Sequence, residues 1–202
     1  AEALIRLGLL EGSPNTHPGQ GTANRRFFFH NAMLELIYVT DPDEARSPLV
    51  APTRLWERAR WRTTNASPFG LCLRATGDDP PPFSTQPYHN AYLPPDVAIP
   101  IARGTLAVEA MLFINPIGAR PDSAPPERRE PLEHPLGVRE ITAVHIATAG
   151  CEPPSDPLYA AQRLGIATFS QNATHLLELT FDNAAQGQHA DLRPTLPLVL
   201  HW

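Results

Sequence analysis

Residues 32–38 read Ala32-Met33-Leu34-Glu35-Leu36-Ile37-Tyr38, and near the other end residues 175–181 read His175-Leu176-Leu177-Glu178-Leu179-Thr180-Phe181. Both are strand-like apolar runs with a glutamate at the same place, and each follows a Phe-to-Asn segment, Phe29–Asn31 or Phe169–Asn172. Further upstream, Ala3-Leu4-Ile5-Arg6-Leu7-Gly8 parallels Ala160-Ala161-Gln162-Arg163-Leu164-Gly165. Each is a short helix end stopped by a glycine, the residue that best tolerates a left-handed C-cap. The chain reads as a duplicated helix-then-strands module.

Side chains alternate faces along a strand, so Met33, Glu35, Ile37 and Val39 share one face and Leu34, Leu36 and Tyr38 the other. Both faces are mostly apolar, which predicts a strand covered on both sides. A carboxylate there needs a metal, an arginine or several donors to offset its desolvation. Glu178, between Leu177 and Leu179, poses the same problem. The plainer alternative is a carboxylate paired with an arginine or reaching solvent at a strand end.

The 202 residues suffice for a sizeable core, as one compact domain or two fused modules. A net charge of −5 with no basic stripe argues against nucleic acid as a partner, and no apolar run is long enough to span a membrane. All 16 basic residues are arginine, and the absence of lysine excludes Schiff-base chemistry, a lysine-bound pyridoxal cofactor and a P-loop. Cys72 and Cys151 lie far apart without a CxxC partner, so a redox pair or zinc knuckle is not expected, and Cys72 is read as strand packing. No signal-peptide pattern opens the chain, and the default localisation is cytoplasmic.

Expected elements are a helix remnant over 1–8, a short strand at 9–13, a hairpin of strands 25–30 and 33–40 turned at Asn31, and a helix over 54–62 packing Leu55, Trp56, Ala59 and Trp61. Strands follow at 69–75, 97–102 and 110–115. The Pro-, Glu- and Arg-rich stretch 119–140 reads as the internal boundary. Beyond it come strand 141–147, helix 156–164 and strands 166–170, 176–182 and 198–202, a βαβββ order. The predicted organisation is a first module with middle strands over 1–118, a linker over 119–140 and a second module over 141–202. Twenty-four prolines, clustered at 80–100 and 116–135, predict ordered, extended connections.

The run His17-Pro18-Gly19-Gln20-Gly21-Thr22-Ala23-Asn24, followed by Phe27–Phe29 and Met33-Leu34-Glu35-Leu36, resembles the vicinal-oxygen-chelate superfamily of glyoxalases, bleomycin-resistance proteins and extradiol dioxygenases, and most of all its uncharacterised glyoxalase-like members. The resemblance implies an α+β fold in which βαβββ modules form curved mixed sheets around a cup, here with extra strands in the middle. It implies a divalent metal (Mg, Mn, Fe or Zn) held by Glu35 and Glu178 from last strands, with His145 substituting where Ala143 stands at the usual first-strand position; the matching strand of the first module would lie before Ala1.

On this reading Glu35 and His17 are the catalytic pair of a metal-assisted lyase, isomerase or dioxygenase acting on a small oxygenated molecule. The Gly19-x-Gly21 turn does not open a helix, so it is no dinucleotide fingerprint. It is either a structural turn in which Asn24 caps the next strand, or the mouth of the cup, with His17, Thr22, Asn24 and Arg25 touching a ligand's oxygens; Arg74 is a further expected substrate-binding residue. Glu35 follows Gly8 by 27 positions but Glu178 follows Gly165 by only 13, so this loop is the main asymmetry between the copies. The alternative function is a metal-free small-molecule binding protein, bleomycin-resistance-like, with Tyr88, Tyr92 and Trp56 as walls and Arg74 or another arginine neutralising Glu35. A third is a structural role in an assembly such as a homodimer, because modules of this family pair across subunits. No Ser-His-Asp or Cys-His motif supports covalent hydrolysis.

Overall fold

The computed structural model describes residues 1–77, 80–150 and 154–202, and shows an α+β chain of many short strands and few helices. Cys151 lies outside the described residues. Helix α1 (Glu2–Leu7) stops where Gly8 takes φ +108° and its N–H turns back to the Leu4 and Ile5 carbonyls. Strands β1 (Asn15–His17), β2 (Thr22–Phe28) and β3 (Met33–Val39) form an antiparallel three-stranded sheet in that order. Three short helices follow: α2 (Pro42–Ala45), α3 (Leu55–Ala59) and α4 (Trp61–Thr64). A second sheet, ordered β4-β7-β6-β5, comprises β4 (Gly70–Leu73), β5 (Thr85–Tyr88), β6 (Ile99–Ala102) and β7 (Met111–Ile114). The last part is β8 (Ile141–Ala149), α5 (Asp156–Arg163), β9 (Thr168–Asn172), β10 (Leu176–Phe181), β11 (His189–Asp191) and β12 (Leu198–His201). These five strands make a mixed sheet ordered β11-β12-β10-β8-β9. Among the described residues no helix is long and apolar enough to cross a membrane.

The two copies of the sequence repeat occupy different surroundings. Their helices both end at a left-handed glycine, Gly8 and Gly165. Yet β3 is an edge strand paired only with β2, whereas β10 lies inside its sheet between β8 and β12. In the second copy β8 separates β9 from β10, so no hairpin corresponds to β2–β3. The expectation of a β3 covered on both faces is therefore corrected: Met33, Ile37 and Tyr38 are exposed, and only Leu34 and Leu36 reach the core. Residues 9–13 pair as no strand, being held by Gly12 N–H to the Arg26 carbonyl (2.9 Å) and Leu10 N–H to His134 (3.0 Å). The helix expected over 54–62 is broken at Arg60, where the Thr63 and Thr64 hydroxyls donate back to the Arg60 carbonyl.

One core joins the first and last sheets. Leu4, Leu9, Phe27 and Phe29 pack with Leu179, Phe181, Leu198, Leu200 and Trp202, and Val138 is buried among them. Full burial of each large apolar side chain stabilises by about 1.5–3 kcal/mol. Stretch 119–140 thus contributes to the core as well as connecting the two halves. Just beyond it Asn31 binds Ile141 as a strand would, with Nδ2 donating to the carbonyl (2.7 Å) and Oδ1 accepting from the N–H (3.0 Å). A second cluster seats α5 on the four-stranded sheet through Leu158 and Ala161 against Ala102 and Leu112.

Buried His134 accepts from Leu10 N–H at Nδ1 and donates from Nε2 to the Phe28 carbonyl (2.8 Å), a pattern only the neutral ring satisfies. Burial holds the pKa values of His134, His175 and His17 below the usual 6.5. With folded-state values depressed, the unfolded chain binds more protons below that point, so acid favours unfolding. Tm is expected to fall between pH 7.5 and 5, before the carboxylates of Glu2 and Asp191, both held at about 2, begin to lose their arginine partners. A Tm that is flat or rising over that interval contradicts this assignment.

A candidate ligand cleft beside Glu35

Both β3 and β4 are sheet edges, and a cleft of about 1960 Å³ opens along them. Its walls include Glu35, Ile37 and Thr22 from the first sheet, Cys72, Arg74, Met111 and Phe113 from the second, and Val144 and Leu177 from the third. The alternation along β3 accounts for the second apolar face seen in sequence: one face meets the core, the other the cleft.

Glu35 is a half-buried carboxylate in the wall of the cleft, which Glu127 and Glu130 also line; Glu130 is engaged by Ser13. Asn24, 1 % exposed, donates from Nδ2 to Glu35 Oε1, and Asn24 is oriented by its own Oδ1, which accepts the Asn15 N–H at 2.7 Å. Arg26 stands opposite Glu35 in the strand register but turns away, donating to the Ser13 carbonyl (2.8 Å) and hydroxyl (2.9 Å) and lying over the Phe28 ring. Among the described residues Glu35 therefore has a neutral donor and no ion pair.

Behind this wall lies a buried polar layer. His17 Nδ1 shares a 2.9 Å hydrogen bond with the Thr22 hydroxyl, which also accepts from Gln20 Nε2 (2.8 Å). Gln20 Oε1 accepts from the hydroxyls of Tyr88 (2.9 Å) and Tyr92 (3.2 Å), and Asn90 donates to the Tyr88 hydroxyl (2.7 Å). The layer fastens the β1–β2 turn to β5 and the loop after it. Burial lowers the His17 pKa against the opposing pull of Glu35, and burial together with Tyr88 and Glu35 raises that of Tyr92, so both side chains are neutral near pH 7. The His17 and Tyr92 rings are 5.0 Å apart.

Cys72 is open to the cleft yet surrounded by protein, and this desolvation, with Glu35 nearby, pushes its thiol up to about 11 from an ordinary 9.0. Two pH units lower the thiolate fraction about a hundredfold, so in a Cys151→Ser variant thiol reagents at pH 7.5 are expected to react roughly a hundred times more slowly than with a free thiol. Reaction as fast as with glutathione contradicts this environment.

Of the residues expected at the site, Glu35, Thr22 and Arg74 line the cleft, and Asn24 and His17 stand directly behind it. Arg25 is elsewhere: it is on the opposite face of β2, with Nε and Nη2 on the Glu11 carboxylate (2.6 and 2.5 Å) and Nη1 on Glu2. Glu178 lies on the face of β10 opposite to Leu177 and Leu179, which point to the core, and pairs in register with His145. Both His145 ring nitrogens are engaged, Nδ1 with the Thr168 hydroxyl (2.8 Å) and Nε2 with that of Ser170 (3.0 Å). Glu35, Glu178 and His145 are thus not brought together, and among the described residues no three His, Cys, Asp or Glu side chains converge. The residues present do not fit the divalent ion that the resemblance implies. Among the described residues neither Arg74 nor another arginine forms an ion pair with Glu35. Trp56 sits away from the cleft under Arg46 and Arg60.

Sequence reasoning missed Gln20, Asn90, Met111 and Phe113. Their places follow from how sheet edges meet, which no local pattern encodes. Compared with known proteins, the chain matches no family model, and neither a curated protein nor a solved structure is significantly similar to it.

Proposed function

We propose that the protein is a metal-free binder of small molecules, with the cleft between β3 and β4 as the site and Glu35 as its polar anchor. The observation that carries this reading is a half-buried carboxylate, held by a buried asparagine and, among the described residues, paired with no cation, in the wall of a largely apolar cleft. A carboxylate so placed accepts a ligand's N–H or O–H at little reorganisation cost, while the apolar walls supply area. The resemblance of His17–Asn24 and Leu34–Leu36 to the vicinal-oxygen-chelate superfamily supports the bleomycin-resistance-like branch of that reading. The metal-assisted enzyme draws no support from the placement of Glu178 and His145.

Screening a library of low-molecular-mass compounds by ligand-detected NMR, with each hit mapped on backbone amide shifts, tests the proposal. Hits are expected to shift amides of 33–39 and 70–74. A library without hits, or hits that map to other surfaces, would sink it.

A further inference from the structure

Arg74 is one of six arginines that line the cleft: Arg26, Arg58 and Arg120 are held by other protein groups, Arg128 and Arg129 are exposed, and Arg74 is half-buried. It follows β4, and alternation places it on the side of Cys72, within the wall that faces the β3 edge. Among the described residues its half-buried guanidinium has no hydrogen bond and no ion pair; it acts at a distance on Asp122, whose carboxylate is held by Arg120 Nε and Nη2 (3.0 and 2.7 Å). A guanidinium lining an apolar cleft without a partner is a ready two-pronged receptor for a carboxylate. Cys72 lines the cleft with Arg74 and Glu35, and its thiol feels both charges, Arg74 lowering and Glu35 raising its pKa. The same cleft is lined by this neutral thiol and by apolar side chains such as Phe113 and Met111.

We infer that the ligand is a small carboxylate with an apolar body and a hydrogen-bond donor at its other polar end, an α-hydroxy or α-amino acid in type, whose carboxylate binds Arg74 and whose donor binds Glu35. Either charge alone would be solvated in an open cleft. The two together, one of each sign and neither ion-paired among the described residues, are complementary to a molecule that carries both groups. This rests on the reading of the cleft as a binding site, and specifies its chemistry.

The test uses four aromatic probes on the intact chain: 3-phenyllactate with both polar groups, 3-phenylpropionate with the carboxylate alone, 2-phenylethanol with the donor alone, and anisole with neither. Affinities come from amide-shift titration of wild type, Arg74→Gln and Glu35→Gln. Phenyllactate is expected to bind at least about tenfold more tightly than either single-ended probe. Arg74→Gln is expected to erase its advantage over 2-phenylethanol and Glu35→Gln its advantage over phenylpropionate. Four equal affinities in the cleft, or an unchanged preference in Arg74→Gln, overturn the two-ended ligand and leave the cleft reading standing. No binding by any of the four also overturns it, and the cleft reading then falls only if the wider library fails too. Unchanged amide spectra away from the cleft verify that both variants are folded.

Discussion

Replacing Phe29 by alanine is expected to cost about 3–5 kcal/mol, the range for deleting a fully buried aromatic ring. Phe29 has no exposed surface, and it packs against Phe181 at 4.7 Å between ring centroids and against His134 at 5.0 Å. Those neighbours come from β10 and from the 119–140 stretch, so the cavity opens where the two ends of the chain meet. In a protein of this length such a loss lowers Tm by roughly 10 °C. Because one core unites the first and last sheets, calorimetry is expected to show a single transition that shifts as a whole. Two transitions of which only one moves, or a loss below about 1 kcal/mol, would show that residues 1–118 and 141–202 fold as separate units.

Gly21→Ala is the other large effect. Gly21 has φ +69°, and a Cβ built there lies 2.2 Å from the Asp41 carbonyl oxygen and 2.8 Å from Ala45 N. Both are backbone atoms, so no side chain can swing aside. The Gly21 carbonyl itself accepts the N–H groups of Thr40 (2.8 Å) and Asp41 (3.1 Å), which pins the start of β2 to the turn before α2. A left-handed alanine alone costs about 1–2 kcal/mol, and relieving the clash brings the total to roughly 3 kcal/mol or more. Gly187, with φ +65° and open space around its Cβ, separates the two contributions: Gly187→Ala is expected to cost only the conformational part. Urea denaturation of the two variants measures the difference, and equal losses would mean that the close approach at Gly21 does not matter. The clash lies one residue from Thr22, so Gly21→Ala is also expected to disturb the cleft wall.

Local chemistry made the elements legible. The apolar runs of β3, β8 and β10, the helix-stopping glycines and the hairpin at Asn31 were readable because spacing and turn residues act over a few positions. What escaped is non-local. β1, β5 and β11 are three- or four-residue strands whose sequences, such as Asn15–His17 and Thr85–Tyr88, carry no alternation strong enough to read. Similar runs around Glu35 and Glu178 entered different sheets, since a strand's neighbours are chosen by the whole fold. Two-sided apolarity in β3 pointed to burial, whereas one side lines a cleft; composition does not distinguish a packed face from a walled space. The need of Glu35 for a donor was readable from its setting, and the donor proved to be Asn24 across the hairpin, not a metal or an arginine.

The central claim is that Glu35 anchors a ligand in the cleft, and it is tested most directly by titrating the strongest library hit that carries an N–H or O–H donor into wild-type protein and into Glu35→Gln by calorimetry. A hydrogen bond to a charged group contributes about 1.5–3 kcal/mol, so the variant is expected to bind at least about tenfold more weakly, with the mapped amides unchanged in identity. Equal affinity in the two proteins would contradict the account, because the carboxylate would then play no part in holding the ligand.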